Sequence, residues 1–189
     1  EMGWSAFVGA RLVNEQRIGG QKNFDPKQDE GSIRAYGQTV KFIQPEFFTK
    51  TGYRINANQK FSLLASFVAQ NQDSWFGSTQ YTAWQRHAYG NLQYELFWGK
   101  KKVHELKTGV SYRHFILNET IAFSFNDLLE RTFAGHYRKE ENIPGLFAEN
   151  TFHFANDRWV WIAGIRADHH NAFGWYATPR TMLRFNPNP

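Results

Sequence analysis

A chain of 189 residues can bury a sizeable single core, yet only 41% of its residues are hydrophobic and no run approaches the roughly 18 apolar residues a membrane-crossing helix needs. It has no cysteine, which removes disulfide scaffolds and thiolate metal sites. Lys and Arg total 22 against 17 Asp and Glu, but the longest basic cluster is Lys100-Lys101-Lys102 at an expected turn, which argues against nucleic acid as a partner.

Alternation of apolar and polar residues predicts paired strands from the start. Residues 5–13 set Trp4, Ala6, Val8, Ala10 and Leu12 against Ser5, Phe7, Gly9 and Arg11, and the breakers in 14–36 predict a long loop. A strand over 38–56 turns at 57–59 and returns over 60–71, with Phe61, Leu63, Ala65, Phe67 and Ala69 as its apolar row. A loop is expected at 72–80, then strands over 81–98 and 103–117 joined by a turn at 99–102. A third long loop, 118–141, has room for a short helix at 126–131. Strands follow over 145–155, from Trp159 onward and over 176–185, with a turn at 156–157 and a short loop at 171–175, for eight in all.

The run Trp159 to Asp168 carries the most information. One side takes Trp159, Trp161, Ala163, Ile165 and Ala167; the other takes Val160, Ile162, Gly164, Arg166 and Asp168. A strand with hydrocarbon outside and water or protein inside has that pattern, and the 17% aromatic content suits strand formation and interfacial girdles. The connections alternate short and long, as in outer-membrane barrels. The polar face collects Arg11, Gln44, Glu46, Lys50, Arg54, His87, Glu95, Lys107, Arg113, Glu149, Arg166, Asp168, Arg180 and Arg184. A dry core holding so many charges would cost several kcal/mol for each unpaired one. The same spacing also describes the solvated face of an ordinary antiparallel sheet. The expected fold is therefore all-β, an antiparallel up-and-down transmembrane β-barrel or a part of one.

Three linked motifs narrow this. Gly145-Leu146-Phe147-Ala148-Glu149-Asn150-Thr151-Phe152, then Ala163-Gly164-Ile165-Arg166-Ala167-Asp168-His169-His170-Asn171, then Thr178-Pro179-Arg180-Thr181-Met182-Leu183-Arg184-Phe185 resemble the mid-barrel signature of TonB-dependent outer-membrane receptors. Gly19-Gly20-Gln21, Tyr36-Gly37 and Glu46 through Tyr53 resemble the Bacteroidetes-type branch, so the likeness covers most of the chain.

The resemblance implies a barrel of about 22 strands closed by an N-terminal plug domain. Such a receptor imports a scarce ligand such as a siderophore, haem, cobalamin or a glycan, driven by the inner-membrane TonB complex. The chain opens Glu1-Met2-Gly3-Trp4 without a secretory signal, carries no plug or TonB box, and ends Asn186-Pro187-Asn188-Pro189 without a terminal aromatic. It is therefore expected to be a mid-barrel fragment of a Gram-negative outer-membrane protein, about eight strands of the larger barrel. Its partners would be outer-membrane lipid, the plug, the remaining strands, the parent's TonB complex and a small-molecule ligand, with no cofactor of its own. Arg11, Glu46, Lys50, Glu95, Arg113, Glu149, Arg166, Asp168 and Arg180 are the expected lumen- or plug-facing residues. Among these, Glu149, Arg166, Asp168 and Arg180 match the motifs. They serve either as breakable plug contacts, in which case Arg166→Ala loosens plug docking, or as pairs within the wall that set strand register.

His136, His169, His170 and Trp175, with other aromatics at expected loop positions, are the candidates for ligand capture. Adjacent strand histidines point to opposite sides, which works against joint metal ligation. No His-x-x-x-His helix motif, nucleophile elbow or glycine-rich phosphate loop appears, and the expectation is a protein that is not an enzyme. Two further readings stay open: a complete eight-stranded outer-membrane barrel acting as anchor or adhesin, and a soluble lipocalin-like or sandwich binding module.

Overall fold

The computed structural model describes residues 3–100, 103–124 and 133–187. Within them the chain makes eight strands: β1 (Gly3–Gly20), β2 (Gly37–Asn56), β3 (Gln59–Phe76), β4 (Thr79–Trp98), β5 (His104–Phe123), β6 (Gly135–Phe154), β7 (Trp159–His170) and β8 (Gly174–Phe185). Each pairs antiparallel with its neighbours in sequence order, in one sheet whose edges are β1 and β8. The ladders hold a constant register except for one irregularity beside the β2–β3 turn. Because strand side chains alternate, constant register carries one sidedness across all eight strands.

One face is apolar. Near the short turns its rings touch along and across the strands: Trp4 and Tyr53 (4.8 Å between centroids), Phe61 and Tyr94 (5.0 Å), Phe152 and Trp161 (5.2 Å), and Trp159 and Phe185 (4.5 Å). Trp98 joins them through His104 and Phe152. The other face carries the charges. Few large side chains are buried: Ile143 and Val160 are among the few, while Leu146, Ile165 and Leu183 stand more than half exposed. The sheet is thus a single layer whose apolar face needs a cover from outside the strands themselves.

Strand limits differ from the sequence reading where both faces are polar. β1 runs on to Gly20, so the loop is 21–36 and not 14–36. The ladder from Asn14 to Gly20 is held by backbone pairing with β2 and by the Arg17–Glu15 ion pair at 2.5 Å. The loop expected at 72–80 is only the turn at 77–78, since Gln72 to Phe76 pair with both β2 and β4. Likewise β5 extends to Phe123 and β6 begins at Gly135, where Arg138–Glu140 (2.9 Å) and Lys139–Glu141 (2.8 Å) replace apolar alternation. The expected alternation of long and short connections is correspondingly weaker, because 77–78 is as tight as 57–58. The helix expected at 126–131 lies outside the described residues, as do Lys101 and Lys102 of the basic triplet. A bilayer needs about 9–11 strand residues, so strands of 18 to 20 residues reach well past any apolar band. That explains the polar upper halves.

A helix the sequence reading missed, α1 (Pro26–Asp29), sits in the 21–36 loop, with Pro26 at its first turn and Asp25 accepting from Lys27 N at 3.0 Å. The loop lies back on the loop end of the apolar face, where Glu30 bonds Thr39 and pairs with Lys41 at 3.3 Å, leaving Thr39 buried. Its hub is the buried Asp29, whose carboxylate accepts from Asp25 N (2.8 Å) and from the Arg34 guanidinium. Those two contacts, the backbone N–H first, hold its pKa below the ordinary aspartate value. A lowered folded-state pKa stabilises the loop above the ordinary value and loses that contribution as pH falls through the depressed one. Hydrogen exchange at 21–36 is therefore expected to stay slow at neutral pH and to accelerate only below the usual aspartate range. Asp29→Asn should show fast exchange already at neutral pH; equally slow exchange in the variant would rule out Asp29 as the latch.

Candidate functional site: the charged face

All nine expected lumen-facing residues share one face. Arg11 lies opposite Glu46 on β1 and β2, and Lys50 lies further along β2. Glu95 faces Lys107, which in turn faces Glu149. Arg113 sits on β5, Arg166 and Asp168 on β7, and Arg180 on β8 opposite Gly164. The charges are mostly engaged within the wall. Arg11 holds Glu46 with two bonds of 2.8 and 2.7 Å, and Gln44 adds a third donor to the same carboxylate. Arg113 meets Glu141 at 3.3 Å. Glu95 accepts from Gln93 at 3.2 Å.

The densest cluster lies on β5 to β8. Arg166 grips Asp168, two residues on in its own strand, by Nε (2.7 Å) and Nη2 (2.6 Å), and its Nη2 also donates to Ser111 Oγ at 2.7 Å. Ser111 is on β5, two strands away, so the guanidinium must cross β6. It passes over Gly145, which lies between Ser111 and Asp168 in the ladders. A Cβ at Gly145 would stand 2.1 Å from Asp168 Oδ1, 2.9 Å from Arg166 Nη2 and 3.0 Å from Ser111 Oγ. Arg180 Nη1 reaches Glu149 Oε2 (3.2 Å) across β7 in the same way, over Gly164. There a Cβ would come within 3.1 Å of Glu149 Cβ. Two glycines of the sequence motifs are therefore the gaps over which the motif arginines cross a strand, Arg166 to Ser111 over Gly145 and Arg180 to Glu149 over Gly164. Sequence reasoning named the charges and missed the gaps. Glycine at a charged-face position of an otherwise alternating strand was the available signal.

Beside these pairs is an open hollow of about 390 Å³ lined by Asn91, Gln93, Lys107, Phe147, Glu149 and Arg180 among others. Its lining mixes both charge signs with amides and one ring, suited to polar contact with protein or solute.

The expected ligand-capturing residues do not converge. His136 is in β6 and not in a loop, with Nδ1 2.7 Å from Thr120 Oγ1. Trp175 is in β8, paired with His169, whose ring it meets at 5.1 Å. His170 turns to the opposite face, 4.6 Å from the Phe173 ring and 3.8 Å from Glu141. Among the described residues no group of three His, Asp or Glu side chains is placed to hold a metal ion.

The family model described as TonB dependent receptor-like, beta-barrel, matches residues 4–189. The chain belongs to that family. No curated protein and no solved structure matches it. TonB-dependent receptors are outer-membrane transporters, and the sheet described above is a segment of such a receptor's barrel wall. The ion pairs over Gly145 and Gly164 are accordingly features of a TonB-dependent receptor barrel.

Proposed function

We propose that this segment forms part of the wall of an active outer-membrane importer, with lipid against the apolar face and the charged face turned to a plugged lumen. The observation that carries the reading is the unbroken sidedness of eight strands, with rings in contact at the short-turn end of the apolar face. Amphipathic residues at that level suit the boundary of a bilayer, and the apolar rows between suit an apolar band about 25 Å tall. A lumen filled by a plug domain would give the charged face its polar partner, and the remaining strands of a barrel of about 22 would cover the edges of β1 and β8. The cargo belongs to the class of scarce ligands such as siderophores, haem or cobalamin. Import is energised by the TonB complex acting through the parent protein, and the likeness of Gly19-Gly20-Gln21, Tyr36-Gly37 and Glu46 through Tyr53 supports a Bacteroidetes-type, Gram-negative source for it.

These 189 residues hold no cysteine, so a cysteine introduced among them is unique within the segment. A fluorophore at Ala163→Cys should be quenched by lipid-borne quenchers in vesicles, and one at Thr178→Cys should not, since the two positions lie on opposite faces. The reverse pattern would defeat the lipid assignment. In cells carrying the whole receptor, a panel of ferric siderophore, haemin and cyanocobalamin should yield at least one compound whose accumulation stops when a protonophore is added. If none accumulates in an energy-dependent way, the proposed cargo class is wrong.

A further inference from the structure

At the short-turn corner of the charged face, Lys50 and Arg54 of β2 and Lys60 of β3 have no ion-pair partner among the described residues, unlike Arg11, Arg113, Arg166 and Arg180. Arg54 lies directly opposite Lys60, an arrangement of like charges that destabilises a sheet when nothing neutralises it. Lys60 also lies opposite Glu95, yet its chain turns the other way: its Cε would be 3.1 Å from a Cβ on Gly52. Gly52 forms the floor of a small pocket of about 160 Å³, flanked by Lys50 and Lys60, with Ser5 and Ser62 on either side of Gly52 in the ladders. Ser62 is 3% exposed, and its Oγ is buried with no hydrogen-bond partner. A buried hydroxyl without a partner is costly, and in native proteins it commonly marks a missing water or ion.

Two lysines without ion-pair partners among the described residues, lining one pocket with an unsatisfied hydroxyl, call for a negatively charged acceptor. We propose that this pocket is an oxyanion site, in which Lys50 and Lys60 bind a carboxylate or phosphate group that also accepts the Ser62 hydroxyl proton. With a water's share of liquid volume near 30 Å³, the pocket has room for such a group. The proposal rests on the reading that the charged face looks into the lumen. There the oxyanion comes either from an Asp or Glu of the segment filling the barrel or from free phosphate.

The test uses the intact receptor in detergent. Carbodiimide coupling followed by peptide mapping is expected to join Lys50 or Lys60 to an acidic side chain outside the wall, which identifies a protein carboxylate as the occupant. If that coupling is absent, inorganic phosphate titrated by phosphorus NMR should bind. Lys60→Gln and Ser62→Ala should each then raise its Kd about tenfold, the effect of losing one hydrogen bond to a charged group. Lys50→Gln, at an exposed position, provides a second variant that leaves the ladder untouched. Coupling of Lys60 to Glu95 alone, or neither external coupling nor phosphate binding, would overturn the site. If the lipid-quenching pattern at Ala163 and Thr178 persists in that case, the oxyanion site fails while the transport reading stands.

Discussion

Gly145→Ala should lower the unfolding free energy of the barrel by about 3 kcal/mol, combining overpacking with partial rupture of an ion pair whose carboxylate is buried. The added methyl would occupy the position 2.1 Å from Asp168 Oδ1 and within 3.0 Å of both Arg166 and Ser111. None of these can retreat cheaply: Asp168 is 4% exposed, and Arg166 is held by three hydrogen bonds. Separating the pair leaves a buried carboxylate without its cation, the costliest state available to it. Gly90→Ala is the matched control, because a Cβ there meets nothing within 4 Å. Denaturant unfolding of the receptor in micelles should show a clear drop in midpoint for Gly145→Ala and almost none for Gly90→Ala. Combining Gly145→Ala with Arg166→Ala should cost less than the sum of the two, since both damage one contact. Equal midpoints for the two glycine variants would show that Gly145 is not the gap on which the pair depends.

This also bears on the two roles open to Arg166. In the structure its guanidinium is committed to Asp168 and Ser111, and Arg180 to Glu149, so these residues act first on the wall itself. Contact with a plug would use whatever donors and acceptors these pairs leave over.

Sidedness was legible in the sequence because it depends only on period two. Trp159 to Asp168 sort by alternation alone, and every charge assigned to the polar face, from Arg11 to Arg180, lies there in the ladders. What failed was strand length, and for one reason. Residues 14–17 and 138–142 are polar on both faces, so hydrophobic alternation vanishes while backbone pairing continues, helped by pairs such as Arg138–Glu140. His136 and Trp175 were assigned to loops on the same mistaken criterion. Within the site, face membership was readable and pairing was not. That Arg166 would reach Ser111 depends on the registers of β5, β6 and β7 together, which no single strand encodes. Lys60 and Ser62 went unnoticed because a lysine at the start of a strand resembles an ordinary turn flank. Only the register with β2 places them beside Gly52 and Lys50.

Ile165→Arg should cost about 2–4 kcal/mol of folding free energy in a bilayer, the depth-dependent cost of a cation on the lipid face of a barrel near the midplane. Ile165 is 57% exposed on the apolar face, opposite Ala148 and Pro179, midway between the Trp159 and Trp161 rings and the loop end. No acidic side chain lies opposite it in either ladder, so a guanidinium there has only hydrocarbon or a long reach to the headgroups. Thr151→Arg puts the same guanidinium on the charged face, opposite Glu105 and Ile162, where a carboxylate is at hand. Its cost should stay below about 1 kcal/mol, as is usual for a hydrated pair. Heat-modifiable gel mobility after refolding into lipid vesicles, followed by denaturant titration, measures both variants on one scale. The comparison is informative because both substitutions introduce the same guanidinium, one on each face of the sheet. A protein whose apolar face is bathed in water would tolerate Ile165→Arg at least as well as Thr151→Arg, and that result would remove lipid from the apolar face.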